Sequence, residues 1–406
     1  MKLTEQEKRM LGGEEGEATS LAMQMLTKLG EAYDAARMVS VYSGHAGCVY
    51  PQFGAAVDLM ERFAELGGMF RAVTTVNPVL HPCNFDRFPA LSEPASIRDA
   101  SVRQIAAISK LGVVPTWSCT PYFHGNLPRL GEPVCWAESS AIIFANSVLG
   151  ARTNRTADGI DVASSIVGRT PEFGLLITEN RAGTALAKLE VRPKTLFDYS
   201  TLGYVIGKQL PGSIPVIEGM PSETTTNHLK VLGAAMATRG GIAMFHAVGM
   251  TPEAASRRAA FQGATAKTEI CITDRDIRMA LEELNVSDRG DIDAVAIGCP
   301  HPTIGELQEL VHLLHDRIVR SSIDFCLFAS PETLNLAAEM GYVDQIEAAG
   351  VKIFSGDCLI CHFPETWGWR CVATDSAKYA CTLPSPPTNL SVRYATLRNC
   401  VAMAVE

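Results

Sequence analysis

The chain has 406 residues, 47% of them hydrophobic and 19% charged, with a formal net charge of −9. That length exceeds one ordinary domain and supports a sizeable core, so two or three α/β lobes around a shared cleft are expected over 1–406. The acidic balance argues against nucleic-acid binding, which needs a basic surface. No run of about 18 apolar residues suggests a membrane span. The polar start MKLTEQEKRMLGGEEGE is unlike a secretory signal, so a cytoplasmic location is expected.

Residues 4–38 read as helix, with Thr4 as its cap and Ala22, Met25, Leu26 and Leu29 at helical spacing. Met38 to Gly47 reads as a strand running into a small-residue turn. Helical patterns follow at 54–67 and 96–111, and strand-like stretches at 70–75 and 112–118. The short apolar runs ALAKLEV, SIPVIEG, GIAMFHAVG, AVAIGCPH and VKIFSGDC each stop at Gly, Pro or a polar turn, with helical segments between most of them. That alternation predicts α/β layers with largely parallel, buried strands. SPPTNLS, near 385–391, reads as a surface crossing.

Twelve cysteines are many for a chain with no sign of secretion, and most should be small buried hydrophobes. The paired CxxC signature of a zinc site is absent; only Cys358 and Cys361 in GDCLIC have that spacing. Three cysteines each follow an apolar run beside a turn-forming residue: Cys119 in Ser118-Cys119-Thr120, Cys299 in Gly298-Cys299-Pro300, and Cys358 in Gly356-Asp357-Cys358. The carboxyl ends of strands form the ligand crevice in open α/β sheets, so the three could converge there. Taken singly, each is as readily an inert core thiol.

Asn146, Ser147, Arg152, Thr153, Asn154 and Arg155 surround a Gly150 turn. Arg152 or Arg155 could clamp a substrate carboxylate bidentately, or could serve a helix C-terminus by bonding its carbonyls. Ser43 and His45 lie in a loop, SGHAG, whose backbone N–H groups can approach an anion. His246 and His301 end apolar runs; either could support the site or be a satisfied structural histidine. Lys378 in SAK could bind an anion or point into solvent.

The stretches TWSCTPYF, CWAESSAIIFANSVLGARTNR, FHAVGMTPEA, IGCPH, GDC and TDSAKYA resemble the aconitase X family and cover nearly the whole chain. The resemblance implies an aconitase-like multi-lobed α/β/α fold with largely parallel sheets around a central cleft. It implies an iron–sulfur hydro-lyase that dehydrates a small hydroxy acid, cis-3-hydroxy-L-proline or mevalonate 5-phosphate. It assigns Cys119, Cys299 and Cys358 to the metal, with Cys361 a competing ligand. Three ligands would leave one iron open, on a cluster of 2Fe-2S, 3Fe-4S or 4Fe-4S type. It tips Asn146, Ser147, Arg152, Thr153 and Asn154 toward the substrate pocket, to which the residues' own chemistry adds Ser43, His45 and Lys378 as substrate-binding candidates. It also implies a separate small subunit carrying a swivelling domain and the serine base. Low Lys content and the lack of an extra basic cluster favour hydroxyproline over the phosphate ester. Two other classes remain open on the residues alone. One is an electron-transfer iron–sulfur protein; the other is a zinc hydrolase using Cys119, His124, Cys358 and His362.

Overall fold

The computed structural model describes residues 1–47, 54–285, 291–385 and 388–406. Fourteen strands are present among them: β1 Met38–Ser40, β2 Ser43–Ala46, β3 Val73–Val76, β4 Cys135–Trp136, β5 Arg169–Pro171, β6 Ala185–Leu189, β7 Pro215–Glu218, β8 His246–Ala247, β9 Thr268–Ile272, β10 Ala294–Ile297, β11 Asp324–Ala329, β12 Lys352–Ser355, β13 Cys371–Thr374 and β14 Ser391–Tyr394. Three sheets carry the architecture, in strand order β3-β2-β4, β8-β7-β6-β9 and β12-β11-β10-β13-β14. Every pairing within them is parallel. A small antiparallel pair, β1 with β5, ties the end of the N-terminal helical region to the first lobe. The fold is mixed α/β with parallel sheets, as the alternating pattern predicts.

The five-stranded sheet shows why its strands read as unbroken apolar runs. Ala294, Ala296, Cys326, Phe328 and Phe354 face one core, while Val295, Ile297, Phe325, Leu327 and Ile353 face another. A strand buried on both faces has no polar side to display. Leu307, Leu310, Val311 and Leu314 cover the second face from helix Ile304–Leu314 at helical spacing.

Two expectations need correction. The segment 4–38 is not one helix but two, Glu5–Gly12 and Glu17–Ala32, because Gly13 and Gly16 take positive φ and end the first. Thr4 does cap it, with Glu7 completing a reciprocal capping box. The stretch 112–118 forms no strand; Val114 makes one parallel bridge to Thr75, and Trp117 then turns into the left-handed region at φ 41°. Ser118, next in the chain, still donates its N–H to the Val76 carbonyl of β3 at 3.0 Å. Of GIAMFHAVG only His246–Ala247 joins a ladder. Part of the SPPTNLS crossing, residues 386 and 387, lies outside the described residues.

The glycine before Cys299 is required by its surroundings. Gly298 has φ 101°, and a Cβ there would stand 2.0 Å from the Phe328 carbonyl oxygen. Gly298→Ala is therefore expected to cost about 3 kcal/mol or more. Urea denaturation would show the loss as a lowered midpoint with an unchanged slope.

Candidate iron–sulfur site

Four elements deliver chemistry to one place, each from beyond the carboxyl end of a parallel strand. Cys119 follows the Val114 bridge on β3, Cys299 follows β10, Cys358 follows β12, and Lys378 rides on helix Ala377–Thr382 after β13. The three thiols sense one another's charge and that of Lys378. Neighbouring loops interlock here: the His301 backbone N–H donates to Cys119 Sγ at 3.3 Å, and His301 Nε2–H donates to the Asp357 carbonyl at 2.9 Å. A Cβ on Gly356 would come within 2.9 Å of Trp117 Cβ, so the Cys119 and Cys358 loops pack in direct contact.

The electrostatics are those of a buried site with one cation. Burial, then the Glu138 carboxylate, pushes the Cys119 thiol up to about 12. Burial also raises Cys299, against the pull of Lys378. Cys358 differs: a hydrogen bond from Cys361 is the main cause that lowers it to about 7. The Tyr379 hydroxyl lies 3.8 Å from Cys358 Sγ. Lys378 Nζ donates to Glu138 Oε1, and to Ser140 Oγ at 2.9 Å. Burial opposes both charges of that pair, yet their mutual attraction raises Lys378 and lowers Glu138. Glu138 also caps the helix starting at Ser139, from a backbone with φ 72°.

Other expected site residues are placed as follows. His45 is fully buried on β2, its ring between Thr75 Oγ1 at 2.9 Å and Asn77 Oδ1 at 3.2 Å. Burial lowers it to about 4, and it feels the charge of Glu138. Ser43 donates to Asn126 Oδ1 and accepts from Trp136 Nε1. The polar groups around the Gly150 turn bond backbone within the turn and on neighbouring segments. Asn146 Nδ2 donates to the Thr153 and Ala243 carbonyls, and its Oδ1 accepts from the Thr153 N–H. Ser147 accepts from the Phe245 N–H, Asn154 spans Phe173 and Leu175, and Arg152 donates to the Leu176 carbonyl. Arg155 donates to the Ala237 carbonyl. Both arginines thus bond a backbone carbonyl, as one of the two alternatives describes. Buried Arg181, unremarked in the sequence, binds Glu253 and knits the same loop through Asn146 and Ala151. Thr153 also accepts from the Trp136 N–H, so this block braces the strand leading to Glu138. His246 bonds the Arg181 carbonyl, within that brace.

Sequence reasoning missed Glu138 and Tyr379, although both sit inside recognised stretches. A carboxylate immediately before the apolar run SSAIIF is a helix-cap signal that could have found Glu138.

The donor set fits an iron–sulfur group. Three thiols face Lys378, and Tyr122 Oη and His301 Nδ1 are buried beside Cys119 without a hydrogen-bond partner among the described residues. A single zinc ion on Cys119, His124, Cys358 and His362 does not fit. His362 is fully buried with Nδ1 on Glu93 and Nε2 on Asp357, both at 3.0 Å. Burial opposes its charge, but Asp357 and Glu93 hold it raised to about 9, leaving no ring lone pair for a metal. Among the described residues no three His, Cys, Asp or Glu side chains are placed to hold one metal ion. A multi-iron cluster distributes its thiolates over different irons, so they need not meet at a point.

Comparison with known proteins bears on the whole chain. Models of the aconitase X first, second and third domains match residues 1–179, 183–282 and 292–406. The chain belongs to the aconitase X family. It is 37% identical to the phosphomevalonate dehydratase large subunit of Thermococcus kodakarensis, over 94% of each chain. It is 33% identical to the cis-3-hydroxy-L-proline dehydratase of Pseudomonas aeruginosa, over 98% of this chain and 68% of that protein. The crystal structure of Thermococcus kodakaraensis aconitase X in its holo-form superposes with a TM-score of 0.89 at 34% identity, covering all of both chains. Aconitase X enzymes named in this way are dehydratases, and this chain is a hydro-lyase of that family. The electron-transfer alternative falls with that result. Among the described residues no helix is long and apolar enough to cross a membrane.

His45 gives the site a pH signature. Its folded value of about 4 lies below the ordinary histidine value of 6.5, so the unfolded chain binds the proton first as pH falls. Its contribution is complete above 6.5 and is lost progressively toward 4. Between pH 7 and 4.5 wild type should lose on the order of 2 kcal/mol more stability than His45→Gln, read from urea midpoints at each pH.

Proposed function

We propose that this chain is the cluster-bearing large subunit of a dehydratase that removes water from cis-3-hydroxy-L-proline, giving an enamine that tautomerises to 1-pyrroline-2-carboxylate. The observation that carries the reading is the half-buried Lys378–Glu138 pair beside Cys119, Cys299 and Cys358. When bound, an iron–sulfur cluster supplies a Lewis-acidic iron that helps the hydroxyl leave. Cys119, Cys299 and Cys358 would hold it. Lys378 receives the substrate carboxylate, and Glu138 receives the ring ammonium, so a zwitterion replaces the pair's own contact with two contacts of the same sign. A phosphate ester would bring surplus negative charge toward Glu138. Tyr122 and His301 offer the remaining polar atoms next to Cys119. The proton α to the carboxylate is removed by a serine on a separate small subunit, in keeping with relatives named large subunits. Ser43, His45 and the Asn146–Asn154 block act in this reading by supporting the pocket wall. A cytoplasmic location accords with the reduced thiols that the chemistry needs.

The second reading is mevalonate 5-phosphate, favoured by the identity to the Thermococcus kodakarensis large subunit over 94% of both chains. Anaerobic reconstitution with iron and sulfide, co-expression with the candidate small subunit, and assay on both substrates decide between them. Turnover of hydroxyproline alone supports the proposal; turnover of the phosphate ester alone overturns it. Serine at Cys119, Cys299 or Cys358 should lower bound iron and acid-labile sulfide at least about tenfold. Lys378→Met should keep the iron yet lower kcat/KM about a hundredfold.

A further inference from the structure

Behind Cys358 lies a charged network that the proposed chemistry does not use. Glu93, His362 and Asp357 are all buried, the His362 side chain completely so. Glu93 Oε1 accepts from His362 Nδ1 at 3.0 Å and from the Phe363 N–H at 3.0 Å. His362 Nε2 donates to Asp357 Oδ1, which also accepts from the Cys358 N–H at 2.8 Å. Asp357 Oδ2 accepts from Asn84 Nδ2 at 2.8 Å, and that amide also spans Ser355 in both directions, N–H to Oδ1 and Nδ2 to carbonyl. The cysteine's own backbone is thus the last link of a chain running from a loop at Glu93 and a helix at Asn84.

A buried ionic network of this kind is costly to form, and replacing it with apolar groups is often neutral for stability. Its geometry has a narrower outcome. Asp357 is held at both oxygens and fixes the Cys358 N–H, which sets the direction of the Cα–Cβ bond and hence of the thiol. We propose that Glu93, His362 and Asp357 are positioning residues that aim the Cys358 thiol for cluster attachment. This extends the reading of Cys358 as a ligand and rests on it for the cluster, while the aim of the thiol is a property of the protein chain itself. Outer-sphere hydrogen bonds that orient ligands commonly govern metal retention.

The test uses the full-length chain freed of cluster, with thiol alkylation rates read at individual cysteines by mass spectrometry. His362→Ala should change the rate at Cys358 by about tenfold or more, with Cys299 within about twofold of wild type, and His362→Gln, which keeps one donor toward Asp357, should recover most of the difference. Glu93→Gln, which keeps an acceptor while removing a charge, serves as a second variant should the alanine chain fail to fold. In the reconstituted protein the same variants should release iron to a chelator about tenfold faster, with an altered visible spectrum. Equal change at Cys299 and Cys358, or none at Cys358, overturns the proposal. Altered Cys358 alkylation in chains that bind no iron even as wild type would instead sink the ligand assignment and leave the positioning role standing.

Discussion

One ion pair organises the candidate site. Lys378 and Glu138 are both largely withdrawn from solvent, and each is tolerable there because of the other. The pair bridges the helix after β13 and the residue that caps the helix after β4, so two lobes share a single charge-neutral unit. Around it stand three thiols that burial keeps from ionising, apart from Cys358, which Cys361 assists. Metal attachment needs thiolates, and an ammonium amid three sulfurs favours that change of state.

The fold positions these groups by a device common to parallel α/β sheets: chemistry sits where strands end. What is particular here is the number of sheets. The β3-β2-β4 sheet supplies the Cys119 approach, the five-stranded sheet supplies Cys299, Cys358 and Lys378, and the middle lobe packs its helices against the five-stranded sheet. Interlocked loops, with His301 touching Cys119 and Asp357, convert separate strand ends into one surface.

Much of this was legible in the residues, and the failures have physical causes. Buried parallel strands announce themselves as unbroken apolar runs, which makes β6, β7, β10 and β12 legible; β4, β5, β9, β11, β13 and β14 are not read from the sequence, β4 having only two residues and β9 being largely exposed. The helix at 4–38 was overextended because apolar periodicity continued on both sides of glycines whose positive φ only the backbone reveals. Cysteine spacing together with family resemblance led to the thiol positions. In the ANSVLGARTNR block the polar side chains also bond backbone carbonyls and N–H groups of the block and its neighbours, contacts that residue spacing does not show. The Glu93–His362–Asp357 network was invisible because its members lie 269 and 5 positions apart, and no local pattern links them.

The span of these contacts has a consequence for how the molecule comes into being. Lys378 and Glu138 are separated by 240 positions, and His301 and Cys119 by 182. Loop closure over such distances is an entropic cost met only when the lobes dock, so nothing resembling the site exists in a nascent or half-folded chain. A chain that ends before Lys378 already carries Cys119, Cys299 and Cys358 but lacks the cation that would favour their ionisation.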